Sequence, residues 1–209
     1  MNNNLFADRL HRALIDNSLM LPKSVEQQLI DFLLLLWQWN TVYNLTAIRD
    51  EKAAVYLHII DSLLVSPYVT GQHCLDVGTG AGLPGLPLAI LHPEQQWTLL
   101  DKVSKKTRFL IQVVAQLGLK NVTVVQANAG SFQFKTGFDS ILSRAFGTLE
   151  KLIDETAHLL QPQGQWIAMK GQYPAYELQT LPSSISYEVH PLTMVGMEVE
   201  RHVICYKKI

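Results

Sequence analysis

The sequence predicts an α/β chain: a mostly parallel, seven-stranded Rossmann-like sheet with a C-terminal antiparallel hairpin and an N-terminal helical extension. Three observations carry that expectation. Helical periodicity fills the first seventy residues. After Gly71, strand-like and helix-like segments alternate. The first strand-to-helix junction is the glycine-rich stretch Asp76-Val77-Gly78-Thr79-Gly80-Ala81-Gly82-Leu83-Pro84-Gly85. The chain divides accordingly into residues 1–70, a helical segment packed on the core, and residues 71–209, the sheet domain.

Taken in order, Ser24-Val25-Glu26-Gln27 reads as a capping box, and Leu29, Ile30, Leu33, Leu36 and Trp37 then recur at helical spacing. A turn over Asn40 to Asn44 separates this helix from a second, Glu51 to Val65, with Val55, Ile59, Ser62 and Leu63 on its apolar face. Pro67 and Gly71 end the helical region. Strands are expected at 73–77, 96–100, 122–126, 138–142 and 165–169, and helices near 84–92, 104–118 and 148–160. Right-handed crossovers turn that alternation into a parallel sheet covered on both faces. Ser184 to Val189 and Glu200 to Lys207 have no helical pattern between them and form the hairpin.

With 209 residues, of which 17% are charged, the chain can bury a full core, which excludes general disorder. A net charge of −1 excludes a polybasic nucleic-acid binder, so an anionic partner must meet a local patch. Cys74 and Cys205 sit in apolar strand-like segments and read as buried, reduced thiols. The seven histidines are scattered singly, so no metal site is expected. The apolar run Phe32 to Trp37 is far short of the about 20 residues needed to cross a bilayer. The start, Met1-Asn2-Asn3-Asn4, lacks the basic region of a signal peptide. A monomeric cytoplasmic protein with no membrane partner is expected.

Glycines at 78, 80 and 82 behind Asp76 suit a turn whose backbone must lie against a bulky ligand. The next strand ends in Asp101, a carboxylate placed to accept both hydroxyls of an adenosine ribose. Two cofactors compete for such a site. Gly80-x-Gly82-x-x-Gly85 matches the dinucleotide fingerprint, but its first glycine comes two residues late, because the strand already turns at Gly78. The acid-x-Gly-x-Gly-x-Gly register fits S-adenosylmethionine better. A five-strand parallel core closed by a hairpin is the class I methyltransferase arrangement, whereas a dehydrogenase half continues in parallel units. That tilts the choice to S-adenosylmethionine.

Further stretches carry a family. Trp39-Asn40-x-x-Tyr43-Asn44-Leu45-Thr46, His58-Ile59-x-Asp61-Ser62, the turn from Asp76 to Leu88, Ser143-Arg144-Ala145, Lys170-Gly171 and Arg201-His202 occur in order at suitable distances. From about Ser24 to the end, the chain resembles the ribosomal RNA small-subunit methyltransferase G family, also called glucose-inhibited division protein B. The resemblance implies methylation of N7 of one guanine in the 530 loop of 16S rRNA, with 16S rRNA or the small ribosomal subunit particle as partner. It places the cofactor contacts on Gly78, Leu83, Ala129, Gly130 and Arg144, beside the Asp76, Gly80 and Asp101 read from the turn itself. At Gly130 the family usually has a glutamate for the adenine amino group; Asn128-Ala129-Gly130-Ser131 offers backbone amides, with Asn128 or Ser131 as substitutes.

Guanine N7 carries a lone pair and no proton, so the reaction needs no general base. No residue is therefore assigned as one; Arg144 is the candidate for orienting the cofactor carboxylate or a target phosphate. N7 faces the deep, narrow major groove of A-form RNA, so an unpaired or flipped guanine is the reachable substrate. Candidate phosphate contacts are Lys105 and Arg108, with Lys102 and Lys106, on the helix after Asp101, then Lys170 and Arg201. The aromatics Trp37, Trp39 and Tyr43 read as core, and Asn44, His58 and Asp61 as hydrogen-bonding joints between the helical segment and the sheet. Three other readings stay in view: a small-molecule methyltransferase, a nicotinamide-dependent oxidoreductase and a non-catalytic ribosome-binding module.

Overall fold

In the computed structural model, which describes residues 3–209, strands β1 (His73–Val77), β2 (Gln96–Asp101), β3 (Val122–Gln126), β4 (Phe138–Arg144), β5 (Leu160–Lys170), β6 (Ile185–Pro191) and β7 (His202–Lys208) form one sheet. Met1 and Asn2, counted above in the helical segment, lie outside the described residues. The strand order is β3-β2-β1-β4-β5-β7-β6. The first five strands are parallel, with Cys74 opposite Trp97 and Ser140, and β7 runs antiparallel to both β5 and β6. The expected sheet and hairpin are therefore present. Two strands, β4 and β5, separate Cys74 from Cys205, and both thiols are free.

Residues 74–77 of β1 are all buried, as a strand covered on both faces must be. Successive residues feed opposite layers. Leu75, Val77, Ile141, Trp166 and Tyr206 pack beneath α7 (Leu149–Thr156) and α8 (Ala175–Gln179), the latter unforeseen in the sequence. Cys74, Leu142, Ile167 and Val203 meet the side of the sheet occupied by α5 (Gly85–Leu91). That layer continues into α6 (Ser104–Leu117), whose Phe109, Leu110 and Val113 pack with Leu99. The N-terminal helices α1 (Asn3–Asp16) and α2 (Lys23–Tyr43) cover it from outside through Leu10, Leu29, Phe32 and Leu33. Trp37 meets Phe6 edge-on, and Trp39 packs against Tyr43 and Phe109, so these aromatics serve packing, with Tyr43 at the exposed end.

Four expected details change. The capping box does not form: α2 begins at Lys23 behind Pro22, whose carbonyl accepts the Val25 and Glu26 N–H groups. Starting two residues early puts Ser24 inside the first turn, and the Gln27 amide donates to Asp31 at 2.9 Å instead. The turn expected at Asn40 to Asn44 is helix through Tyr43, because Asn44 adopts the left-handed conformation that ends it, φ +48°. The helix expected over 51–65 is an α-turn, α3 (Glu51–Ala54), a π-turn over Val55–Ile60, and α4 (Asp61–Leu63). The helix expected to reach 160 stops at Thr156, because Leu160 is already paired with Phe138 in an eleven-residue β5.

Candidate functional site

The turn after β1 is organised from beneath by Asp76. Its Oδ2 accepts the Thr79 hydroxyl at 2.6 Å and the Gly85 N–H at 2.8 Å, so one carboxylate oxygen closes both ends of the glycine loop. The group is fully buried, and burial pushes its pKa up to about 6 despite those two bonds. Gly78 has φ +66°, and a Cβ there would stand 2.7 Å from the Phe146 ring, so only glycine fits. Asp101 holds the loop from the side. Its Oδ2 accepts the Gly80 N–H at 3.0 Å and faces the Lys106 ammonium at 3.3 Å; its Oδ1 accepts the Val103 N–H at 2.9 Å.

Two cavities open at the carboxyl ends of the strands. The first, about 320 Å³, is lined by Gly78, Asp101, Lys106, Asn128, Ala129 and Phe146, among others. The second, about 440 Å³, is lined by His58, Asp61, Arg144, Lys170 and Arg201 among others. Ala145 and Phe146 belong to both, so the loop after β4 is the partition. Ala145 holds φ +60°, a left-handed backbone that costs an L-residue roughly 1–2 kcal/mol. The partition lies where the chain leaves β1 for β2 on one side and reaches β4 on the other, the switch point at which open α/β sheets bind ligands.

The second cavity is dominated by ion pairs. The Asp61 carboxylate, 3% exposed, faces Arg201 Nε at 3.0 Å and Arg144 Nη1 at 3.5 Å, and Arg144 also donates to the Leu57 carbonyl at 2.7 Å. Lys170 Nζ lies 2.8 Å from Glu177 and donates to the Gly147 carbonyl at 2.8 Å. His58 is buried, with Nε2 3.3 Å from the Thr46 hydroxyl. Burial, aided by the charge on Arg144, lowers its pKa to about 4, so the ring is neutral at pH 7.

The candidate residues fall into four places. Gly78, Asp101 and Ala129 line the first cavity. Asp76 and Leu83 are buried under the turn, and Gly80 lies in it with its N–H on Asp101. Gly130 is exposed beside Ala129, with nothing within 4 Å of where its Cβ would be. Arg144, Lys170 and Arg201 line the second cavity. Lys105 and Arg108 are exposed on α6 and line neither; Lys105 donates to the Tyr43 carbonyl at 3.1 Å. Of the three expected joints, Asp61 does bind the sheet, whereas Asn44 bonds Arg49 and His58 bonds Thr46 within the helical segment. Phe146 went unnoticed in the sequence, although it directly follows the quoted Ser143-Arg144-Ala145.

A family described as "GidB: rRNA small subunit methyltransferase G" matches residues 25–204. Ribosomal RNA small subunit methyltransferase G of Aeromonas salmonicida is 44% identical over 202 residues, covering 96% of this chain and 97% of the relative. The protein of the same name from Marinobacter nauticus is 48% identical over 197 residues, 94% of this chain and 92% of the relative. Among solved structures, the O-methyltransferase TomG of Streptomyces achromogenes, in complex with SAM, matches at a TM-score of 0.60 and 12% identity. That match covers 85% of this chain and 89% of TomG, and it concerns the fold.

Proposed function

The chain belongs to the rRNA small subunit methyltransferase G family, and from that premise we propose that it methylates N7 of one guanine in the 530 loop of 16S rRNA, with S-adenosylmethionine as the donor. The observation that carries the reading is the pair of cavities meeting at Ala145 and Phe146, one built on a glycine turn with a ribose-type acid and one lined with arginines. Direct transfer needs the reacting atoms about 3–3.5 Å apart and in line, so donor and acceptor must meet where the two cavities adjoin, over the edge of the Ala145–Phe146 loop.

The first cavity fits a nucleoside cofactor. Its floor is backbone at Gly78 and Ala129, its wall is the Phe146 ring, and Asp101 stands at its edge. A carboxylate has about four acceptor positions. Three donors already meet Asp101, so one ribose hydroxyl can be accepted directly and a second if Lys106 swings away. We assign Gly78, Asp101 and Ala129 to direct contact, and Asp76, Gly80 and Leu83 to shaping the turn; beside the exposed Gly130, adenine is left to neighbouring backbone and Asn128. When bound, S-adenosylmethionine supplies an electrophilic methyl group.

No base is needed, because N7 attacks with its own lone pair, and among the described residues Glu155, which lines the first cavity with Phe146, is paired with Lys151. His58 is neutral and bonded to Thr46, Asp61 is paired with two arginines, and Asp76 is out of reach beneath the loop. What the residues do is align the two partners and exclude water. The substrate is 16S rRNA or the small ribosomal particle, met in the cytoplasm, with the 1–70 segment packed on the sheet domain and contributing His58 and Asp61 to the acceptor side. Labelled S-adenosylmethionine incubated with small-subunit particles from a strain lacking the enzyme should yield N7-methylguanine in the 530 loop; label at another base or none at all refutes the reading.

A further inference from the structure

The second cavity has an unusual charge arrangement. Its charged walls are Asp61, Arg144, Lys170 and Arg201. Glu177 cancels Lys170 at 2.8 Å, and Asp61 cancels one of the two guanidinium groups it touches. One positive charge is left over. His58, the other ionisable group on the wall, is kept neutral by burial and by Arg144, so it adds none. A cavity with a single surplus positive charge matches a single phosphodiester.

The placement of Asp61 is built into the helix that carries it. Over Val55–Ile60 the helix widens to a π-turn, and the Asp61 N–H bonds to Tyr56 O rather than to Leu57 O. One residue added to a helix rotates everything after it by about 100°. The Leu57 carbonyl accepts Arg144 Nη1. On the other side Arg201 gives Nε to Asp61 and Nη1 to the Glu200 carbonyl at 2.8 Å, which leaves its Nη2 without a protein partner among the described residues. Both guanidinium groups are thus locked by their inner edges, with outer donors on the cavity.

Resting on the reading above, we propose that this cavity takes the target nucleotide, that the outer donors of Arg201 and Arg144 grip its phosphate, and that Asp61 is the positioning residue that holds the two arginines in register. Cationic groups gripping phosphate, away from the purine, also suit the chemistry, since positive charge moves onto the base as N7 is methylated. A volume of about 440 Å³ lies within the usual range for small-ligand sites, about 300–1,000 Å³. The same donors could instead grip the cofactor's own carboxylate, and the test separates the two anions.

Asp61→Asn and Arg201→Gln are compared with the wild type in three measurements: S-adenosylhomocysteine affinity by calorimetry, KM and kcat for small-subunit particles, and binding of guanosine 5′-monophosphate against guanosine with S-adenosylhomocysteine present. The wild type should prefer the monophosphate. Both variants should lose that preference and raise KM at least tenfold, with less than a twofold change in S-adenosylhomocysteine affinity; Asp61→Glu should recover part of the loss. Should Asp61→Asn fail to fold, Arg201→Gln decides alone. A monophosphate preference that survives overturns the proposal, and so does a parallel loss of S-adenosylhomocysteine affinity, which would give the anion site to the cofactor. If particles are not methylated at all but the nucleotide pattern holds, the proposed reaction falls while this cavity assignment stands.

Discussion

Lys170 and Glu177 are 2.8 Å apart, and the same carboxylate accepts the Leu149 N–H at 2.7 Å while the same ammonium holds the Gly147 carbonyl. The pair therefore fastens α8 and the end of β5 to the loop that leads from the partition into α7. Lys170 was expected from sequence to contact phosphate, yet its charge is neutralised within the fold. Replacing Lys170 with Met should lower stability by about 1.5–3 kcal/mol, the scale of hydrogen bonds to charged groups. The salt dependence of methyl transfer should stay as in the wild type, because no counterion-releasing contact is removed. A slope smaller by about one unit would return Lys170 to the RNA surface.

Cofactor choice follows from the glycine turn and Asp101. S-adenosylhomocysteine should raise the melting temperature, since a ligand bound only by the native state stabilises it, while NAD and NADP should not. Stabilisation by either dinucleotide would overturn the donor assignment.

Asp101 serves two tasks at once, so its substitutions should separate. Asp101→Asn keeps an acceptor but loses the charge that attracts Lys106; Asp101→Ala also orphans the Gly80 and Val103 N–H groups. Cofactor affinity should fall by about 1.5–3 kcal/mol in Asp101→Ala and by less in Asp101→Asn. Equal affinity in all three proteins by calorimetry would show that the ribose is held elsewhere.

His58 and Asp76 should make stability depend on pH with opposite signs in one window. The folded state lowers His58 from 6.5 to about 4, so it binds fewer protons than the unfolded chain between those values; the contribution is present above pH 6.5 and lost as pH falls. Asp76 is raised from 3.8 to about 6, so its contribution is present below pH 3.8 and lost as pH rises through 6. Each is worth at most about 3–3.5 kcal/mol, at about 1.4 kcal/mol per unit. Urea unfolding between pH 4 and 7 should show the deficit of His58→Gln shrinking as pH falls, and that of Asp76→Asn shrinking as pH rises. Deficits that do not vary with pH would mean that neither group titrates in this way.

The sheet was legible because its signals are local and repeated. The parallel strands are apolar runs, buried in β1, β2 and β4, and α6 and α7 each bury one face, so the five parallel strands and the hairpin could be placed within a few residues. The glycine turn was legible for the same reason: a positive φ at position 78 favours glycine, and the acid that closes the β1 turn from beneath is only two residues before it. Local signals failed where a distant partner outweighed them. Ser24 and Gln27 have the spacing of a cap, but Pro22 starts the helix first and the Gln27 amide donates to Asp31 one turn on.

By itself, then, the order of residues determined the topology, the turn and Asp101 at the end of β2, since periodicity, backbone freedom and strand ends depend on neighbours in the chain. Only the tertiary structure decided which charges are spent and which are available. Asp61 meets arginines 83 and 140 residues away, and Lys170 is neutralised by a carboxylate on the helix that follows its strand. Coulomb interactions fall with distance in space and take no account of distance along the chain. The π-turn that aims Asp61 leaves no mark in composition or periodicity, because it is stabilised by the contacts it makes possible: a carbonyl and a carboxylate closing on the same guanidinium.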